Sequence, residues 1–258
     1  MRLMKRILSA AAVLALSASL LVGCSSGTAS SVPVSASSAA ESTVSSVEET
    51  ASSAVDENEA AAAQLLNDLT GSYQELWPGI LADEYKQTWL DDCTALVGED
   101  NAEAAFEKLS SMVTGDVYGE DAVKAYANGG GAYFCGFTNS LAILTFDGET
   151  STISGTDKDG NVLFSHTYHY IGMEPVRGLY EFQSDDADSG EFTYFFLAPD
   201  TSAETYHIEF RYGSDAEALS QYDTGEYAYW LASGISTDCD QTMIDNCIEL
   251  FCTENLAG

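Results

Sequence analysis

The sequence predicts a mainly β domain of the α+β class, built as an antiparallel β-barrel with helices N-terminal to the strands and after them. Short runs rich in aromatic and β-branched residues follow the glycine triplet at 129–131, and turn signals such as Asp147-Gly148 separate them. Apolar residues recur at helical spacing on either side of this region. Seven sequential strands predict an antiparallel meander that is closed or nearly closed, because closure removes exposed strand edges.

The order of these elements follows from the same patterns. Helical spacing extends from about residue 82 to 126 and is interrupted at Gly98 and Gly115. A last helix is expected over about 238–251. The strands are expected near residues 132–137, 141–146, 150–155, 162–171, 178–183, 192–198 and 205–212.

The N-terminal segment has the pattern of a lipoprotein export signal. Basic residues precede an apolar stretch over residues 7–22, and Gly23-Cys24 follows at the point where the chain becomes polar. We therefore expect a signal peptide over residues 1–23 and lipidation of Cys24, which would anchor the chain to the outer face of the cell membrane. An ordinary secretory signal and an uncleaved anchor are the alternatives. All three place the rest of the chain outside the cytoplasm.

Residues 24–59 are predicted to form a flexible tether. Between Ser25 and Ala54, 21 of 30 residues are serine, threonine or alanine, and the first aromatic residue of the chain is Tyr73. Such a segment cannot bury enough apolar area to offset the entropy of ordering it. One folded domain is therefore expected over residues 60–258.

Charge and motifs exclude several functions. After removal of the signal peptide, 6 basic residues face 41 acidic ones, a net charge of −35. Nucleic acid is not expected as a partner, because no basic patch can displace phosphate counterions. The sequence has no glycine-rich phosphate loop, no GxSxG and no HExxH, so we do not expect an enzyme.

Five cysteines remain after Cys24, at positions 93, 135, 239, 247 and 252. An odd number leaves at least one of them unpaired. No CxxC spacing is present, which disfavours a structural zinc cluster. Up to two disulfides are compatible with this set, one of them involving the C-terminal group, and the sequence does not assign them.

The three histidines define the candidate metal ligands. Strand alternation places His207 and Glu209 on one face, where an imidazole and a carboxylate could bind zinc if another strand supplied a third group. A polar cross-strand histidine is the alternative. His166 and His169 are three residues apart on a strand and face opposite ways, so at most one can join His207 inside a barrel.

Four segments resemble the ZinT-type zinc-binding proteins, which are exported calycin-like, or lipocalin-like, β-barrels and also occur fused to zinc-transport lipoproteins. In the first of these segments, at residues 69–78, both tryptophans of the family pattern are replaced. The matching segments are LTGSYQELWP at 69–78 (family W-x-G-x-W-Q-S-V-Y-P), YHYIG at 168–172 (Y-x-Y-x-G), RGLYEF at 177–182 (V-R-Y-L-F-E) and AETYHIEFRYG at 203–213 (A-E-H-F-H-I-x-F-G).

The resemblance implies that His207 corresponds to the second histidine of the family's H-x-H zinc-binding pair. Thr205 replaces the first histidine, and residues 194–197 contain no counterpart of the third. One interpretation is a modified site in which Glu204, Glu209 or the inward-facing one of the other two histidines assists His207. Oxygen donors would shift its preference from zinc toward calcium or manganese.

The function that the resemblance implies is binding of a divalent metal ion, zinc first, with capture of the metal or its delivery to a metal-transport system. The alternative is that metal binding is lost, and that the barrel is a metal-free module of a surface lipoprotein that binds a small molecule or a protein.

Overall fold

Eight antiparallel strands close into a barrel in the computed structural model, which describes residues 57–198 and 207–257. Each strand pairs with the next along the chain, and the first pairs with the last through Tyr73 and Ser236. The strands are β1 (Gly71–Glu75), β2 (Ile143–Asp147), β3 (Thr152–Thr156), β4 (Val162–Met173), β5 (Tyr180–Ser184), β6 (Tyr194–Leu197), β7 (His207–Gly213) and β8 (Ala232–Ser236).

Helices precede the barrel, fill the long connection between β1 and β2, and follow β8. None of the helices in the described parts of the chain is both long and apolar enough to cross a membrane. The helices are α1 (57–68), α2 (Leu76–Ile80), α3 (Lys86–Val97), α4 (Glu99–Val113), α5 (Glu120–Ala127), α6 (Ala216–Leu219) and α7 (Gln241–Leu256).

The expected helices and the closed barrel are confirmed. Gly98 separates α3 from α4, with a φ of 84° that glycine adopts without strain. Six of the seven expected strands overlap β2 to β7. The prediction of a strand over 132–137 is wrong, because Phe134 makes only isolated bridges, to Thr114 and Trp230.

Two strands, β1 and β8, were not predicted. The Ala-Ser-Gly-Ile-Ser sequence of β8 has little of the aromatic or β-branched character that identifies strands. Its pairing with both β1 and β7 closes the barrel. The expected signal peptide, the lipidation site Cys24 and the tether up to residue 56 lie outside the described residues, and so does Glu204.

The barrel interior is a packed aromatic core. Phe146, Phe182, Phe195, Phe210 and Tyr212 are at most 1% exposed. The Phe195 ring lies 5.4 Å from the Tyr212 ring, within the range of favourable aromatic pairs. Large aromatic side chains therefore point into the barrel and pack against one another there.

A second core lies outside the barrel, under the helices. Leu76, Trp89, Leu109 and Ile248 are buried together with Ile235, which comes from β8. The Trp89 indole donates a hydrogen bond to the carbonyl oxygen of Ile80 at 2.8 Å. Helices α2, α3, α4 and α7 therefore cover one outer side of the barrel, next to the paired strands β7 and β8.

Candidate functional site

Strand β7 places the candidate ligands on its outer face. Ile208, Phe210 and Tyr212 belong to the barrel core, so the alternating positions His207 and Glu209 face away from it. The expected sharing of one face by His207 and Glu209 is therefore observed. The expectation that this face lies inside the barrel is wrong, because the aromatic side chains of β7 occupy the interior.

His207 and Glu209 line a cleft of about 220 Å³ between β7, α2 and α7. Both belong to the strand segment that pairs with β8, where His207 lies opposite Ile235 and Glu209 opposite Ser233. The helices contribute an apolar wall to this β7–α7 cleft and several polar groups. The other lining residues are Leu76, Trp77, Cys247, Leu250, Phe251, Glu254 and Asn255.

The apolar wall of the β7–α7 cleft is well packed. The Phe251 ring meets Trp77 edge-on at 4.7 Å between centroids, and it lies 6.0 Å from Trp89. These contacts fix α7 relative to α2 and α3, and α7 in turn carries Glu254 to the cleft. The position of one carboxylate beside β7 therefore depends on how α7 packs.

The charges at the β7–α7 cleft favour a cation. Burial, followed by the nearby Cys239, Glu209 and Glu254, raises the pKa of the Cys247 thiol to about 12. Burial, followed by the charge of Glu209, likewise raises the pKa of Cys135 to about 12. Both thiols are therefore protonated at neutral pH. Among the described residues that line this cleft there is no lysine or arginine, so its two carboxylates give it a negative potential.

The other two histidines lie on β4 and do not join His207. The His166 ring stacks on Phe164 at 5.9 Å, and its Nδ1 is 2.9 Å from a carboxylate oxygen of Asp186. His169 points the opposite way, as expected, and its Nδ1 is 2.6 Å from Asp185. Each imidazole therefore has a carboxylate partner of its own, at the turn between β5 and β6.

The structure thus brings together two of the five candidate metal ligands, His207 and Glu209. It places His166 and His169 elsewhere, and Glu204 is outside the described ranges. Over residues 57–198 and 207–257, no three histidine, cysteine, aspartate or glutamate side chains are arranged to hold a metal ion. A closed tetrahedral zinc site needs four ligands, so these residues do not form one by themselves.

Sequence reasoning missed the residues that α7 contributes. Cys247, Phe251 and Glu254 recur at helical spacing and so share one face of α7, which is a signal that the sequence contains. The sequence does not show against which strand this face packs. Assignment of Glu254 to the surroundings of His207 therefore required the structure.

Similar solved structures include the Zn(II)-bound ZinT-like domain of Streptococcus pneumoniae AdcA, with 16% sequence identity and a TM-score of 0.44 over 71% of this chain and 89% of that chain. Zn(II)-bound AdcA from Streptococcus pneumoniae matches at 15% identity and a TM-score of 0.42, over 72% of this chain and 35% of that chain. No protein-family model and no curated protein matches the sequence. The family named for the first structure is the one that the sequence motifs resemble.

Proposed function

We propose that the barrel domain binds a divalent metal ion, zinc first, at the β7–α7 cleft, with His207 and Glu209 as its protein ligands. The observation that carries this proposal is that the two side chains share the outer face of β7 and line one acidic cleft. The proposed role is capture of the ion outside the cell membrane and its delivery to a metal-transport system, without catalysis.

The donor chemistry sets the expected strength of binding. A neutral imidazole and a carboxylate both suit zinc, and water molecules would complete its coordination. Glu254 lines the same cleft and is a further carboxylate beside the proposed ion. Two firmly placed donors give weak binding, which suits an ion that is captured and released.

Calorimetric titration of the metal-free chain with zinc tests the proposal. We expect a dissociation constant in the micromolar range, and a loss of at least about tenfold in both His207→Ala and Glu209→Gln. His169→Ala is the matched control, because this histidine lies on β4, away from the cleft, and is paired with Asp185. Absence of zinc binding, or equal affinity in all four proteins, would refute the proposal. Parallel titrations with calcium and manganese show whether the oxygen donors shift the metal preference from zinc toward these ions.

A second candidate function is metal-free binding of a small molecule or a protein. The apolar wall formed by Leu76, Trp77 and Phe251, next to two carboxylates, suits a ligand that combines an apolar group with a positive charge. The same titration separates the two functions, because a metal-free module would release no heat with zinc.

Anchoring through a lipid at Cys24 is part of the proposed function. The basic, apolar and small residues that precede this cysteine support it. Replacement of Cys24 by serine should move the chain from the membrane fraction to the soluble fraction after export. Retention of the Cys24→Ser chain in the membrane fraction would refute lipid anchoring at this residue.

A further inference from the structure

We propose that Cys93 and Cys252 form a disulfide that links α3 to α7. Their Sγ atoms are 4.0 Å apart, and both side chains are fully buried where the two helices pack together. A disulfide requires an Sγ–Sγ distance of about 2.0 Å. The two sulfurs are already in contact, and formation of the bond brings them about 2 Å closer. The proposed bond is independent of metal binding.

The positions of the other cysteines favour this pair. All five cysteines of the domain are free thiols in the structure. Cys135 donates to the carbonyl oxygen of Tyr133 at 3.8 Å. Among the described residues, the sulfur of Cys93 has the sulfur of Cys252 as its hydrogen-bonding neighbour. One disulfide at this position leaves Cys135, Cys239 and Cys247 as thiols, which agrees with the odd number of cysteines.

The reaction needs a two-electron oxidant, which a small-molecule disulfide such as oxidised glutathione supplies. The Cys93 thiolate attacks one sulfur of this disulfide and releases one small thiol. The Cys252 thiolate then attacks the mixed disulfide at the sulfur of Cys93, which forms the Cys93–Cys252 bond and releases the second thiol. The protons lost by the two cysteines end on the two released thiols.

Burial determines when this reaction occurs. It raises the pKa of both thiols, and their contact with each other leaves no room for a glutathione molecule. The attacking thiolates are therefore scarce and shielded once α3 and α7 have packed. The bond should form during folding, before the helices come together, and should form slowly in the folded reduced chain.

The bond would restrain one wall of the β7–α7 cleft. Phe251, the neighbour of Cys252, lines this cleft and packs against Trp77. The two cysteines are 159 positions apart, and a cross-link that closes such a long loop removes much entropy from the unfolded chain. We therefore expect oxidation to raise the melting temperature by about 10 °C.

Refolding of the full chain in detergent with a reduced and oxidised glutathione buffer tests the proposal. Free thiols are trapped with N-ethylmaleimide, and the digested chain is mapped by mass spectrometry. We expect the peptide that contains Cys93 to be joined to the peptide that contains Cys252, and the other three cysteines of the domain to be alkylated. Alkylation of Cys93 and Cys252, or their joining to other cysteines, would overturn the proposal.

Melting temperatures provide the second measurement. The refolded chain should melt about 10 °C higher without reductant than with a phosphine reductant. Cys93→Ser and Cys252→Ser should each abolish this difference, whereas Cys239→Ser, a partly exposed control, should retain it. An equal difference in Cys252→Ser and in the unsubstituted chain would contradict the proposal. If the serine variants do not fold, peptide mapping of the unsubstituted chain still shows whether Cys93 is joined to Cys252.

Discussion

Replacement of Arg211 by leucine should destabilise the connection between β7 and β8. Arg211 is fully buried on the outer face of β7. Its guanidinium donates hydrogen bonds to the carbonyl oxygens of Leu219, Gln221 and Tyr227, with both terminal nitrogens 3.3 Å from that of Gln221. One side chain therefore supplies donors to three backbone positions of a segment that has little regular structure.

The expected magnitude follows from these contacts. Loss of the donors to three buried carbonyl groups costs about 1–2 kcal/mol for each group. Loss of the guanidinium from the Tyr222 ring, 4.4 Å from its centroid, costs about 1 kcal/mol more. Replacement of the buried cation also removes its desolvation cost, which offsets several kcal/mol of these losses. Burial lowers the pKa of Arg211, which reflects that desolvation. The net loss should be about 2–4 kcal/mol.

Urea unfolding followed by tryptophan fluorescence measures this loss, because Trp230 packs 5.8 Å from Tyr227. We expect the midpoint for Arg211→Leu to fall by about 1 M. Arg177→Leu is the control, since Arg177 is exposed and lies over the same Tyr222 ring at 4.5 Å. It should cost less than about 1 kcal/mol. An unchanged or higher midpoint for Arg211→Leu would show that desolvation cancels the hydrogen bonds, and would refute this reasoning.

Two further predictions concern titratable groups. Burial raises the pKa of Tyr222 to about 12 in the folded chain, so the unfolded chain loses this proton first and the free energy of unfolding should fall between about pH 10 and pH 12. Unfolding measurements on Tyr222→Phe should show a shallower fall over this range. An identical pH dependence in the variant would contradict the assignment. Asp186→Asn should lower stability by about 1 kcal/mol, because its partner His166 is only 12% exposed, whereas Asp185→Asn should cost less, because both members of its pair with His169 are more than half exposed. Thermal unfolding of the two variants checks this order, and a larger effect of Asp185→Asn would reverse the interpretation.

The sequence contained enough information for the class of fold. Helical spacing interrupted at Gly98 and alternating aromatic runs are local patterns, and local patterns are visible in one chain. The strand β8 was missed because its short, small-residue sequence has weak strand character, and its pairing with β1 joins residues about 160 positions apart. The run over 132–137 was assigned wrongly because aromatic residues also occur in irregular segments that pack against a core.

The candidate site was predicted only in part. Alternation correctly placed His207 and Glu209 on one face of β7, and His166 and His169 on opposite faces of β4. Alternation does not tell which face of a strand is inside when helices bury the outer face as well. Both faces of β7 carry buried residues, so the sequence supported either orientation.

The sequence by itself determined a mainly β barrel flanked by helices and the two residues of β7 that share a face. Both follow from the periodicity of apolar and polar side chains along helices and strands. The tertiary structure alone decided that this face lies outside the barrel, that α7 brings Glu254 beside it, and that Cys93 meets Cys252. These are contacts between segments distant in the chain, and they depend on how helices and strands pack rather than on the local order of residues.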